Sequence, residues 1–197
     1  MIGAIILAGG EGKRMGAVKP LLDIHGMPAL ARVIGALRAA GVEGIIVVLG
    51  HAADAVRGGV DLSGCRVVVN PDYKSGMASS LRAGIAALPA DARGFLILHS
   101  DMPYIAPETI EAVIAVARTG ARIVAPTYRG KRGFPVYIDR ACCPGLIATL
   151  EGNVGARAYI AAHPELLVEI PVEDPGAVTD LDTPEDLEKE LTNAGLH

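Results

Sequence analysis

The chain has 197 residues, a formal net charge of −4 and 51% hydrophobic residues, with no tryptophan. That length suits one α/β domain spanning 1–197, able to bury about 70% of the surface its unfolded form exposes. The negative charge excludes a general nucleic-acid footprint, and no apolar run reaches the roughly 18–20 residues of a membrane span. No basic region precedes the short N-terminal apolar segment, so a secretory signal is not expected and the location reads as cytoplasmic. Cys65, Cys142 and Cys143 fit no zinc spacing and read as reduced structural thiols.

In chain order, apolar runs alternate with helix-periodic segments. Ile2–Leu7 reads as the first strand. Pro28–Ala40 is a helix opened by proline and stopped at Gly41. Ile45–Leu49 is the second strand, His51–Arg57 a short helix and Arg66–Asn70 the third strand. Met77–Leu88 is a helix, Phe95–His99 the fourth strand and Pro107–Arg118 a helix. Arg122–Ala125 and Phe134–Ile138 read as strands around a basic turn. Helices at Ala141–Thr149 and Val154–Ala162, a strand at Leu167–Pro171 and a closing helix at Pro184–Leu191 complete the pattern. Such alternation favours a largely parallel sheet covered on both faces.

The densest chemistry follows the first strand. Gly9, Gly10, Gly12 and Gly16 allow tight turns and close approach of a ligand. Their free N–H groups suit an anion, and Lys13, Arg14 and Lys19 add charge. A P-loop is rejected, because Arg14 stands where the magnesium-binding hydroxyl should follow Lys13. The dinucleotide fingerprint is rejected too, since the glycine spacing differs and Leu49-Gly50-His51 brings no carboxylate after the second strand. Ligands of an open parallel sheet sit outside the carboxyl ends of its strands. The Gly loop, Asn70 and Asp101 all lie there.

Asp101 closes an apolar strand and is the best candidate to hold magnesium through oxygen ligands, water and phosphates, although a turn or N-cap aspartate favours the same place. Asp180 and Asp182 share a face of an extended segment, and one of them is a second candidate ligand. Asp182 also reads as a helix start before Pro184. Arg14 offers a planar fork and Lys19 a mobile point charge for phosphates, whereas Lys13 reads as solvent-facing. Ser79 and Ser80 place hydroxyls at a helix start after Gly76, a pattern that also fits an ordinary helix N-terminus.

The segment LAGGEGKRMGAVKPLL resembles the L-A-[AG]-G-x-[SG]-x-R-M-G-x-x-K signature of the MobA-like nucleotidyltransferases. The resemblance continues through Asn70–Gly84, Ser100–Pro103, Arg132–Val136, Gly152–Arg157 and Thr179–Leu187, in the family's order. It implies a single-domain Rossmann-like nucleotidyltransferase fold. It also implies a magnesium-dependent enzyme that transfers NMP to the phosphate of molybdopterin and releases pyrophosphate. Leu7, Ala8, Gly9, Gly10, Gly12, Arg14, Gly16 and Lys19, with Gly76, Ser79 and Ser80, are then the nucleotide side. Arg14, Lys19 and Asp101 are the catalytic set, and Arg132, Phe134, Pro135, Gly155 and Arg157 the acceptor side. The middle and Gly152–Arg157 segments are of cytidylyl type and favour CTP, while Leu-Ala-Gly-Gly is closer to guanylyl enzymes and GTP. A sugar- or polyol-phosphate acceptor and a non-catalytic nucleotide-binding partner are the other readings. A molybdoenzyme or its chaperone is the expected downstream partner. The family usually carries His where Phe134 stands, Asp where Asn153 stands, and a small or apolar residue where His99 stands. A phosphate-monoester acceptor is already ionised near neutral pH, so no general base is required.

Overall fold

The computed structural model describes residues 1–193. An eight-stranded sheet runs in the order β10-β7-β9-β6-β1-β4-β5, with β8 added beside β7. Its first half contains β1 (Ile2–Ala8), the small hairpin β2 (Asp23–Ile24) and β3 (Met27–Pro28), α1 (Ala29–Ala39), β4 (Gly44–Leu49), α2 (Ala53–Gly59) and β5 (Arg66–Val69). Next come α3 (Met77–Ala86), β6 (Gly94–His99), α4 (Pro107–Arg118), β7 (Ile123–Tyr128), β8 (Lys131–Arg132) and β9 (Val136–Asp139). The chain continues through α5 (Cys143–Thr149), α6 (Arg157–Ala162), β10 (Leu167–Pro171) and α7 (Pro184–Asn193).

The central strands β1, β4 and β6 are almost wholly apolar because both faces are covered. Ala4, Ile6 and Ala8 of β1 pack with Leu30, Val33 and Leu37 of α1 and Ile110 and Val113 of α4. Ile5 and Leu7 point the other way, onto Leu81 and Ile85 of α3, Leu146 of α5 and Ile160 of α6. β1 pairs in parallel with β4 on one side and β6 on the other. The chain therefore moves outward to β5 and returns to the far side of β1, which makes the β1/β6 crevice the switch point where ligands bind.

The sheet is mostly parallel, as the alternation of strands and helices implies, with β9 antiparallel to both β6 and β7. Two helix starts are corrected. α2 starts at Ala53 instead of His51, because the His51 N–H donates to the Gly9 carbonyl at 3.1 Å and Ala52 takes a left-handed φ of 53°. α6 starts at Arg157 instead of Val154. The preceding loop has positive φ at Gly152 and Gly155 and is committed to α3. No helix among the described residues is long and apolar enough to cross a membrane.

Candidate active site

The Gly loop leaves β1 and folds over the carboxyl edge of the sheet. Gly12 has φ +60°, and a Cβ there would drive into the Ala17 carbonyl oxygen, so only glycine fits. The Gly16 N–H returns to the Gly12 carbonyl at 2.9 Å. Met15 anchors the loop from below, in an apolar cluster with Leu22, Ile24, Ala29 and Leu181. Gly9 answers a packing demand: its Cβ would lie 3.1 Å from the Gly50 nitrogen. Gly10 and Gly16 face open space, with nothing within 4 Å of an added Cβ.

Lys19 comes off this loop onto a one-turn helix and reaches the β1/β6 crevice. Its ammonium donates to Asp101 Oδ2 at 2.7 Å and also to Asp182 Oδ1. Asp101 follows β6 directly. Asp182 arrives from 163 residues away, because Leu181 is fully buried and its N–H donates to the Asp101 carbonyl at 2.9 Å. Arg14 donates to Asp182 Oδ2 at 2.7 Å, with its side chain 72% exposed, so it is free to swing onto a ligand. Burial acts to lower the Lys19 pKa, but the two carboxylates outweigh it and hold it above its usual value. The Lys19 hydrogen bond, opposed by burial and helped by the Lys19 and Arg14 charges, keeps the Asp182 carboxyl below the usual range.

The two competing roles of the Thr179–Glu185 segment separate cleanly. Thr183 and Asp186 cap α7 reciprocally, Thr183 N–H donating to Asp186 Oδ2 at 2.8 Å and Asp186 N–H to Thr183 Oγ1 at 3.2 Å. The Asp182 carboxylate is thereby left for Lys19 and Arg14. Asp180 shares its face, but among the described residues it makes no hydrogen bond to the cluster.

Other expected site residues take different positions. Leu7 and Ala8 are buried in opposite faces of the sheet and offer a ligand no side chain. Ser80 is buried, and both Ser79 and Ser80 hydroxyls accept from Asn70 Nδ2, at 2.8 and 3.1 Å. They hold the β5–α3 turn in place. Gly76, with φ +113°, packs its α-carbon against Gly152. Arg132 Nε donates to Glu169 Oε1 at 2.7 Å on edge strand β10. Phe134, beside the cis peptide to Pro135, does face the crevice: its ring meets His99 edge-on at 4.7 Å. Gly155, with φ +58°, lies against Met77, and Arg157 is exposed at the start of α6.

Two residues carry more than their sequence signal suggested. Asn153 Oδ1 accepts the Met77 N–H at 3.1 Å and the Gly152 carbonyl accepts the Ala78 N–H at 2.9 Å, so this loop caps α3. Asp174 gathers the Ala106 N–H, the Thr109 hydroxyl and the Gly176 N–H at 2.8–3.0 Å. It thereby fixes the segment whose Ala177 carbonyl accepts the Phe134 N–H at 2.8 Å. Both residues act across more than 60 positions of sequence, so local pattern gives no hint of them.

A sheet covered on both faces, with a Gly loop and paired carboxylates at its switch point, is the Rossmann-like nucleotidyltransferase arrangement. The chain belongs to the MobA-like NTP transferase family, whose domain matches residues 4–166. It is 32% identical to nicotine blue oxidoreductase of Paenarthrobacter nicotinovorans over 93% of each chain. Rv0371c of Mycobacterium tuberculosis H37Rv superposes with a TM-score of 0.87 at 29% identity, over 97% of each chain. The structure of Rv0371c with manganese gives a TM-score of 0.82 over 97% of this chain and 98% of that one. The chain spans between 22% and 38% of the length of the bifunctional curated relatives that it also matches.

Proposed function

We propose that this protein transfers NMP from a nucleoside triphosphate, CTP in preference to GTP, to the phosphate of molybdopterin. The observation that carries the reading is one ammonium, Lys19, shared by Asp101 and Asp182 at the switch point, with the exposed Arg14 beside it. Two carboxylates gathered on one cation are a hard oxygen donor set, suited to magnesium or manganese completed by water and phosphates. Asp101 and Asp182 would hold that cation, whose charge would offset the α-phosphate oxygens. The exposed Gly10 backbone lies where the triphosphate turns. Arg14 and Lys19 then exchange carboxylate partners for phosphate oxygens, which are equally good charge-assisted acceptors. An acceptor phosphate oxygen attacks the α-phosphorus, the new P–O bond forms, and the bond to the β-phosphate breaks with pyrophosphate leaving. Positioning and electrostatics supply most of such a barrier reduction.

Donor choice rests on the resemblance of Asn70–Gly84 and Gly152–Arg157 to the cytidylyl branch. Gly9, the residue closer to guanylyl enzymes, is accounted for by its contact with Gly50 and carries no weight for GTP. A base site leaves polar groups unpaired when the wrong base enters, which discriminates strongly. A pyrophosphate-release screen of four NTPs with molybdopterin and magnesium tests the reading. We expect CTP to exceed GTP in kcat/KM by about tenfold, or roughly 1.4 kcal/mol. A preference for GTP removes the cytidylyl assignment, turnover only with sugar or polyol phosphates removes the molybdopterin one, and no release with any acceptor removes the transferase.

The relative named an oxidoreductase supports a second reading, reduction of a heteroaromatic substrate on the same scaffold. The paired carboxylates and Lys19 favour transfer, since together they form an oxygen donor set for a divalent cation with a cation beside it for phosphate. Incubation with nicotine blue and a reduced nicotinamide nucleotide separates the two: consumption of both without pyrophosphate release would select the oxidoreductase.

A further inference from the structure

His99 ends β6, two residues before Asp101. Phe95 and Ile97 of the same strand are buried on the α3 face, so by strand alternation His99 emerges on that face at the carboxyl edge of the sheet. Phe134 supports its ring edge-on, with centroids 4.7 Å apart and planes at 81°. Asp101, Asp180, Lys19 and Asp182 are all close enough to act on it electrostatically. Among the described residues neither ring nitrogen has a hydrogen-bond partner. The buried side-chain polar atom without a partner is the Tyr104 hydroxyl, so the half-buried His99 ring keeps part of its nitrogen surface accessible at the edge of the sheet. The result is an oriented, unpaired imidazole beside the reactive cluster. It lies on the α3 face, while Arg14 and Lys19 come from the loop that continues to α1.

We propose that His99 binds the acceptor, donating a ring N–H to a non-attacking oxygen of its phosphate monoester and so selecting for that class of acceptor. This rests on the transferase reading above. Two cations already serve the triphosphate from the loop side, and the α3 face needs its own donor for the second phosphate. Phe134 gives the remainder of the acceptor a flat apolar wall. The two rings touch, so an imidazole at either position would reach the same crevice.

The test is steady-state pyrophosphate release with CTP and magnesium, with molybdopterin, a sugar phosphate and a polyol phosphate as acceptors. Its variants are His99→Leu, His99→Gln and the double variant His99→Leu/Phe134→His. His99→Leu is expected to raise the acceptor KM about tenfold or more, the cost of one hydrogen bond to a charged group, with the CTP KM unmoved. His99→Gln keeps an N–H donor and is expected to recover most of the loss. The double variant carries one imidazole, at position 134 on the neighbouring wall of the crevice, and is expected to restore acceptor KM. An unmoved acceptor KM in His99→Leu, an equal rise in both KM values, or no recovery in the double variant overturns the proposal. Absence of turnover by the unsubstituted protein with every acceptor is a separate result: it removes the transferase reading, and this one with it.

Discussion

Gly10 and Gly12 are two residues apart, and only Gly12 needs glycine for the fold. At Gly12 the backbone is left-handed and the Ala17 carbonyl fills the Cβ position, whereas at Gly10 the space is open. Gly12→Ala should therefore distort the loop at a cost of about 1–3 kcal/mol, visible as a lower Tm. Gly10→Ala should leave Tm unchanged and raise the KM for NTP, because the added methyl occupies the space assigned to phosphate. An unmoved KM for Gly10→Ala would remove the triphosphate from that place. Lys19 is the other decisive residue. Lys19→Met leaves Asp101 and Asp182 facing each other without their shared cation. We expect a loss of about 1–3 kcal/mol in chelator, partly regained on adding magnesium, and turnover lowered at least about a hundredfold. If magnesium restores no stability, the two carboxylates are not a metal site.

At the scale of elements, β1, β4 and β6 were legible because burial on both faces makes them continuous apolar runs. The direction of β9 was not, since the apolar pattern of a short strand is the same whether it runs parallel or antiparallel. The start of α6 was misplaced for another reason. Val154 and Ala156 suit a helix locally, but Asn153 and Gly152 are held by the N-terminus of α3, and that tertiary contact overrides the local preference. Asn153→Ala should cost about 1 kcal/mol, the usual value of a lost cap. The effect should be local, with faster hydrogen exchange at Met77 and Ala78 and unchanged exchange in β1. Uniform acceleration across the molecule would show that the loop does more than cap α3.

At the scale of the whole molecule, the site joins the first and last segments of the chain. The sequence marked Arg14, Lys19 and Asp101 through their place after strands, and it marked Asp180 and Asp182 as a pair. Choosing between those two needs Leu181, whose burial against Met15, Leu22, Ile24 and Ala29 sets the depth at which Asp182 meets Lys19. That cluster links residues beyond the matched 4–166 to the Gly loop, and no local pattern encodes it. Leu181→Ala should cost about 2–5 kcal/mol, as for other buried leucines. Loss of stability alone would not distinguish it from any core truncation, so Leu37→Ala, equally buried in α1 and outside this cluster, is the control. Both variants should lower Tm. At a temperature where both remain folded, only Leu181→Ala should weaken magnesium-dependent NTP binding, by about tenfold, corresponding to loss of one well-placed charged ligand. Equal NTP affinity in the two variants would mean that Asp182 reaches the site without this anchor, and that the C-terminal segment is held there by Lys19 and Arg14 alone.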